Sequence, residues 1–329
     1  MFVDKLRKEA SGNSVVVVFP ESSDARIVEA ACIAGKKNYC TPILLGNEAA
    51  IKKLGAKIGC SLNHVIIIDH LKSDEREEYA ERLAEKRKKK GLTYKDALKL
   101  MDNANYFGGM MVECRDADGL ITGAVGTTAQ TVRSAIHTVG VAQGKKWVSG
   151  ACFCMHKEKM LLLADCAVIE QPTSEQLCHI AIDSAETYEF FAGKKAKVAL
   201  LSFSTKGSAS HEMLDRIRKA VVMIRKKKPG LVVDGELQVD AALRPDVAKR
   251  KCPQSPIKGD ANVLVFPNLD AGNISLKFLN ILAGYEIVGP FLQSVSKPVN
   301  DLSRGCYVKD VVDMTVFMSV QVRRLRKKK

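Results

Sequence analysis

The chain has 329 residues, 46% hydrophobic and 27% charged, which fits a globular protein with room for two domains of ordinary size. No apolar run approaches the roughly 18–20 residues that span a bilayer, and the opening MFVDKLRKEASGNS lacks the apolar stretch of a secretory signal, so a cytoplasmic place without membrane contact is expected. The net charge of +14 gathers in EKRKKKG, IRKKKPG and RRLRKKK, each at the end of a predicted helix and none interleaved with aromatics. That pattern argues for solvated helix ends that attract small anions, and against a nucleic-acid partner.

In chain order, SVVVVFP (14–20) reads as a strand buried on both faces, and ESSDARIVEAACIAG as a capped amphipathic helix. TPILLGN (41–47) and HVIIIDH (64–70) are further strands with the helix EAAIKKLGAKIG between them. A charged helix follows over about 73–90, TYKDALKLMDNANYFGGMMVECRDA looks helical, and DGLITGA (118–124) is a strand again. A second set starts near 147. KWVSGACFCMH and MLLLADCAV (160–168) have strand character, 173–193 is an amphipathic helix, and 197–204, 234–243 and 261–270 continue the alternation. The last helix, about 308–326, carries Val311, Val312, Met314, Phe317, Met318 and Val322 at helical spacing. The alternation predicts an α/β fold with a mainly parallel sheet, in two α/β domains with a cleft between them.

Ten cysteines are scattered without a matched pair of CxxC elements, so reduced thiols and no zinc site are expected. There is no G-x-x-x-x-G-K-[ST], no G-x-G-x-x-G after the first strand and no G-x-S-x-G. Loops rich in Gly, Ser, Thr and Asn remain: TGAVGTTAQTVRSA, SFSTKGSASHEM, NLDAGNISLK and NDLSRGC. Such loops at strand ends, feeding helix N-termini with free N–H groups, suit a substrate with several phosphates.

The stretches VVFPESSDARIVEAA, ADCAVIEQPTSEQL, DGELQVDAAL, VFPNLDAGNISLKFL and GYEIVGPFLQSVSKPVNDLSRGC resemble the phosphate acetyl/butyryl transferase family, along essentially the whole chain. The resemblance implies reversible acetyl transfer between acetyl phosphate and coenzyme A, with phosphate as co-product and coenzyme A as substrate. No cofactor and no metal are implied. It also implies an isocitrate/isopropylmalate dehydrogenase-like fold and a homodimer. The last helix would return to the first domain, giving 1–146 plus 300–329 and 147–299. Phosphate butyryltransferase is the alternative of the same chemistry, and a basic nucleic-acid-binding protein the alternative of another class.

On this resemblance Asp310 is the general base for the thiol, and Ser303 and Arg304 are the catalytic pair. Arg87 and Arg133 hold anionic ends of the substrates, with Ser303 and Arg304 also in the binding site. Asp301 and the SGACFCM segment (149–155) are expected to line the cleft. Beside these roles, Asp310 is an acid in the first turn of a helix, stabilised by the dipole, and Tyr307 supplies no side chain for a capping box. Proton transfer from a thiol near pKa 8.5 to an ordinary Asp near 3.9 is uphill by roughly 6 kcal/mol, so burial or a cation such as Arg304 has to assist. No His stands in a motif with Ser303, which favours direct attack in a ternary complex over an acyl-enzyme. The six His residues are expected to be structural.

Overall fold

The computed structural model describes residues 2–12 and 15–327. The chain divides into two compact units, Met1–Lys146 with Val295–Lys329, and Trp147–Ser294. The first stretch runs α1 (Phe2–Ala10), β1 (Val16–Phe19), α2 (Ala25–Lys36), β2 (Thr41–Leu45), α3 (Glu48–Lys57) and β3 (Ile66–Ile68). It continues through α4 (Glu75–Arg87), a 3-10 turn at Lys88–Lys90, α5 (Tyr94–Leu100), α6 (Ala104–Cys114), β4 (Gly119–Thr122) and α7 (Thr128–His137).

The second unit holds β5 (Ser149–His156), β6 (Lys159–Ala164), α8 (Ser174–Ala192), β7 (Lys197–Leu201), α9 (Glu212–Lys227) and β8 (Val232–Leu237). It ends with α10 (Val239–Leu243), α11 (Pro245–Lys251), β9 (Val263–Val265), α12 (Leu269–Ile281) and β10 (Glu286–Gln293). The chain then returns to the first unit as β11 (Val299–Asp301) and α13 (Val308–Arg326).

The return begins at Val295, ahead of the expected 300. Val295 bridges Val141, and Ser296 donates its N–H to Gly140 O and its hydroxyl to Val139 O, which ties this segment to the first unit.

In the first unit every strand pair is parallel, in the order β3-β2-β1-β4-β11. The continuous apolar strands are those of a sheet covered on both faces. Val17, Val18 and Phe19 of β1 and Leu120 and Ile121 of β4 are fully buried. Helix α13 supplies much of the core through Val311, Met314, Phe317 and Met318, and packs on α1 and α2. Ion pairs Arg324–Glu9 and Arg7–Asp313, both 2.6 Å, fasten α1 to it. Helix α1 was not expected from the sequence: few apolar residues show in it, but Val3, Leu6 and Ala10 form one buried stripe.

The stretch 93–117, expected to be helical, holds two helices, α5 and α6. Asn103 caps α6 by accepting the Asn105 N–H, which starts a new helix at that point.

In the second unit the order is β10-β5-β6-β9-β7-β8, with β5 antiparallel to both β10 and β6 and the rest parallel. The stretch 234–243, expected to continue the strand pattern, is the end of β8 followed by α10. The fold is thus mixed α/β with mostly parallel pairing. Ser14, expected to open the first strand, and Lys328–Lys329 of the basic tail lie outside the described residues.

Candidate active site

The C-terminal ends of β1, β4 and β11 are neighbours in the first unit. Three loops leave from them, at 20–24, 123–127 and 302–307, the side of a parallel sheet on which ligands bind. Glu21 reaches from the first loop into the second. Its carboxylate accepts the N–H groups of Ala124, Val125 and Gly126 at 2.7, 3.1 and 2.8 Å. In this loop, one of the four that the sequence suggests for phosphates, the three amides are thus engaged by a carboxylate of the chain itself. Thr127 and Gln130 then close a reciprocal capping box that opens α7.

Arg26 joins the third loop to the other two. Its Nη1 donates to the carbonyls of Arg304 and Cys306, both at 2.8 Å, and its Nη2 to Ala124 O at 3.0 Å. Asp24, the N-cap of α2, orients it through Nε at 3.0 Å and Nη2 at 2.7 Å. That paired hydrogen bonding with Arg26 holds the Asp24 carboxyl below the usual range.

The backbone at Arg304 is therefore fixed. Its exposed guanidinium makes no hydrogen bond or ion pair among the described residues. Ser303 is half-buried. Its Oγ accepts the Gly305 N–H at 3.2 Å, and its carbonyl accepts the Cys306 N–H at 2.9 Å, closing the turn.

Asp310 lies one turn into the same element. Its Oδ2 accepts the Tyr307 N–H at 2.8 Å, half of a capping box. The expectation that Tyr307 leaves Asp310 only a dipole role is corrected here, since the bond uses the backbone of residue 307 and needs no side chain. The other carboxylate oxygen of Asp310 stays available. Cys306, between Arg304 and Asp310 in the chain, is buried. Burial pushes its thiol up to about 11 in spite of the nearby Arg26 guanidinium, so it remains protonated.

Asp301 ends β11 and is fully buried. Thr128 Oγ1 donates to its Oδ2 at 2.7 Å, whereas Oδ1 has no hydrogen-bond partner in ordinary geometry. Burial raises this carboxyl to about 6, against the lowering by Thr128. Gly123 makes the fit possible. It has φ +98, and a Cβ there would stand 2.0 Å from Asp301 Oδ1.

Arg87 and Arg133 form a second group, connected to the first through α7, which begins at Thr128 beside Asp301. Both guanidinium groups act on one pair, Tyr106 and His137, whose phenol oxygen and Nδ1 are 3.0 Å apart. Neither arginine has a hydrogen bond or ion pair among the described residues. His137 thus feels the Arg87 and Arg133 guanidinium groups together. The 149–155 segment is strand β5 of the second unit and is buried throughout.

Sequence reasoning also missed Glu21, Asp24 and Arg26. The only signal was a polar cluster straight after a buried strand, which reads equally well as a helix cap. Among the described residues no group of three His, Cys, Asp or Glu side chains is placed to hold a metal ion, and no helix is long and apolar enough to cross a membrane.

The family model described as Phosphate acetyl/butaryl transferase matches residues 1–319. The phosphate acetyltransferase of Acetivibrio thermocellus is 41% identical over 329 residues, covering 98% of each chain. A phosphotransacetylase structure from Streptococcus pyogenes superposes with a TM-score of 0.90 at 37% identity, over 98% of both chains. A 4-hydroxythreonine-4-phosphate dehydrogenase from Klebsiella pneumoniae shares the fold alone, with a TM-score of 0.54 at 10% identity over 94% of this chain and 99% of that one. Matched along its length in sequence and in structure, the chain belongs to the phosphate acetyl/butaryl transferase family.

Proposed function

We propose that the protein catalyses reversible acetyl transfer between acetyl phosphate and coenzyme A. The observation that carries this reading is the end-to-end similarity to phosphate acetyltransferases at about 40% identity. The thiol sulfur attacks the acetyl carbonyl directly in a ternary complex. A C–S bond forms, the C–O bond to phosphate breaks, and the thiol proton passes to Asp310 and from there to the departing phosphate.

The free oxygen of Asp310 suits the proton acceptor, while its other oxygen holds the helix start. Arg304 meets the phosphate and the charge that grows on the carbonyl oxygen, from a backbone that Arg26 already fixes. Ser303 donates to the same substrate. Arg87 and Arg133 hold phosphate groups, and Asp301 supports the site from beneath. Neither a metal nor a cofactor enters this reading, coenzyme A being a substrate. A cytoplasmic location belongs to it, in keeping with ten free cysteines. So does kinship of the fold with isocitrate and isopropylmalate dehydrogenases, supported by the likeness to a dehydrogenase structure.

A homodimer is part of the same proposal, and α12 supports it. Only Gly272 of this apolar helix is buried, while Ile274, Phe278, Ile281 and Leu282 are 52–74% exposed on successive turns. These side chains show on the order of 500 Å² of apolar surface, at the upper end of what monomers expose. Two such faces brought together bury on the order of 1,000 Å², the threshold of a specific interface. Sedimentation of Phe278→Glu against the unmodified protein tests it, and an unchanged mass would dismiss this face as the contact.

The activity is tested by following thioester formation from coenzyme A with acetyl, propionyl and butyryl phosphates side by side. Fastest turnover with acetyl phosphate is expected. Preference for butyryl phosphate would replace the reading with the butyryl one, and no thioester from any of them would refute it.

A further inference from the structure

The pair between Arg87 and Arg133 has chemistry of its own. His137 closes α7 one turn after Arg133, so the two side chains share a helix face. Tyr106, from α6, meets His137 edge-on with ring centroids 5.8 Å apart and its phenol 3.0 Å from Nδ1. The end of α4 is held beside them, because Lys86 donates to Val139 O at 3.1 Å and pairs with Glu113 at 2.6 Å. Arg87 ends the same helix, and its guanidinium acts with that of Arg133 on both rings. Of the carboxylates on the packed elements, Glu113 is engaged by Lys86 and Lys297, Asp301 lies at the other end of α7 beside Thr128, and Glu75, Glu77, Glu78, Glu81 and Glu85 of α4 exert no resolved effect on the ring. The imidazole thus faces two guanidinium groups and no free acid.

We propose that Tyr106 and His137 complete an anion site with Arg87 and Arg133, in which His137 takes up a proton when a phosphoryl dianion binds. Burial first and then the two arginines favour the neutral imidazole. A dianion between the arginines reverses the field at the ring, and the imidazolium becomes a third cation for the ligand. The phenol allows the change without moving heavy atoms. A neutral imidazole accepts from or donates to it at Nδ1, an imidazolium only donates, and a phenol oxygen serves both. Burial keeps the Tyr106 phenol protonated, so the pair does not lose its hydrogen instead. Anion affinity then strengthens toward acid and levels off above the pKa of the liganded ring.

This inference rests on Arg87 and Arg133 as anion holders, and the test separates the two. Full-length protein labelled at histidine Cε1 is titrated by NMR from pH 5 to 8.5, with and without sulfate, a dianion across that range. His137→Gln assigns the signal. The expected result is a pKa for His137 about one unit higher with sulfate, equivalent to about tenfold tighter sulfate at the acid limit. The response should vanish in Arg87→Gln/Arg133→Gln.

Sulfate binding that needs both arginines but leaves the His137 titration unmoved would overturn the proton-linked role alone. No sulfate response sensitive to the arginines would overturn the anion site itself. Wild-type coupling in Tyr106→Phe would remove Tyr106 from it. Repeating the titration with adenosine 3′,5′-bisphosphate and with inorganic phosphate tells which phosphate the site takes, the tighter and more strongly coupled ligand being the one assigned.

Discussion

Asp301→Asn offers the most direct test of how the floor of the site is built. The carboxyl is fully buried, has one hydrogen bond of ordinary geometry, from Thr128, with the Thr131 hydroxyl and the Leu302 N–H giving weaker help, and stands against Gly123, so burial outweighs these donors and its charge is poorly solvated. Its pKa rises from 3.8 to about 6 on folding. A folded pKa above the unfolded one stabilises the protein fully below the unfolded value, and that stability is lost as pH climbs through the folded value. The shift corresponds to about 3 kcal/mol in all, of which about 1.4 kcal/mol falls between pH 5 and pH 8.

The amide is nearly isosteric and carries no charge. The advantage of wild type over Asp301→Asn should therefore shrink by about that amount as pH goes from 5 to 8, and then stay constant. Urea unfolding of both proteins at half-unit pH steps measures it. Parallel curves over the whole range would mean that Asp301 ionises as readily folded as unfolded, and the burial argument would be wrong.

Arg304→Lys keeps the charge but loses the planar fork. Because the guanidinium supports nothing else in the fold, kcat should fall roughly 10²–10³-fold with the melting temperature unchanged. For Asp310→Asn, the amide oxygen can still accept the Tyr307 N–H, so stability should hold while kcat falls across pH 6–9 (about the range flanking the thiol pKa); near wild-type turnover would reduce Asp310 to a helix-start residue. Arg26→Lys removes donors to the carbonyls of Arg304, Cys306 and Ala124 together, and on the proposed roles should lower kcat much more than it raises KM, because it loosens the backbone that carries Arg304. Apparent coenzyme A affinity should weaken steeply with added salt, read by kinetics at several ionic strengths, if exposed arginines carry it.

Much of the first unit's plan is legible in local pattern. VVVF, TPILL and GLIT are strands because buried parallel strands need continuous apolar runs, and Asp24, Asn47 and Thr127 announce their helices by side-chain caps. The site residues Ser303, Arg304 and Asp310 are legible only through resemblance, since a loop before a helix has no periodicity of its own. What stayed hidden depends on partners far away in sequence. Glu21 reaches amides at 124–126, Arg26 reaches carbonyls at 304 and 306, and Tyr106 meets His137 across two helices. No local propensity records such pairs. Helix α1 hides for a related reason, because its narrow apolar stripe gains meaning only against α13.

The arginines sort by what their heads touch, and the sorting bears on the excess of positive charge. Arg26, Arg76, Arg218, Arg225 and Arg324 each pair with a carboxylate, and Arg216 and Arg323 donate to main-chain carbonyls. Those serve the fold. Arg87, Arg115, Arg133 and Arg304 have neither kind of partner among the described residues. Arg115 has a backbone task instead, capping α6 in the left-handed region at φ 74. Of the other three, Arg304 is in a loop that leaves the sheet, Arg87 ends α4 and Arg133 is in the middle of α7.

On a chain of net charge +14, an unpaired guanidinium gains nothing from its surroundings and is repelled by them. Folding alone therefore gives no reason to keep Arg87, Arg133 and Arg304 with open forks on anchored backbone. Under the proposed function the reason is a substrate with several phosphates, which supplies the missing anions and finds the forks already in place.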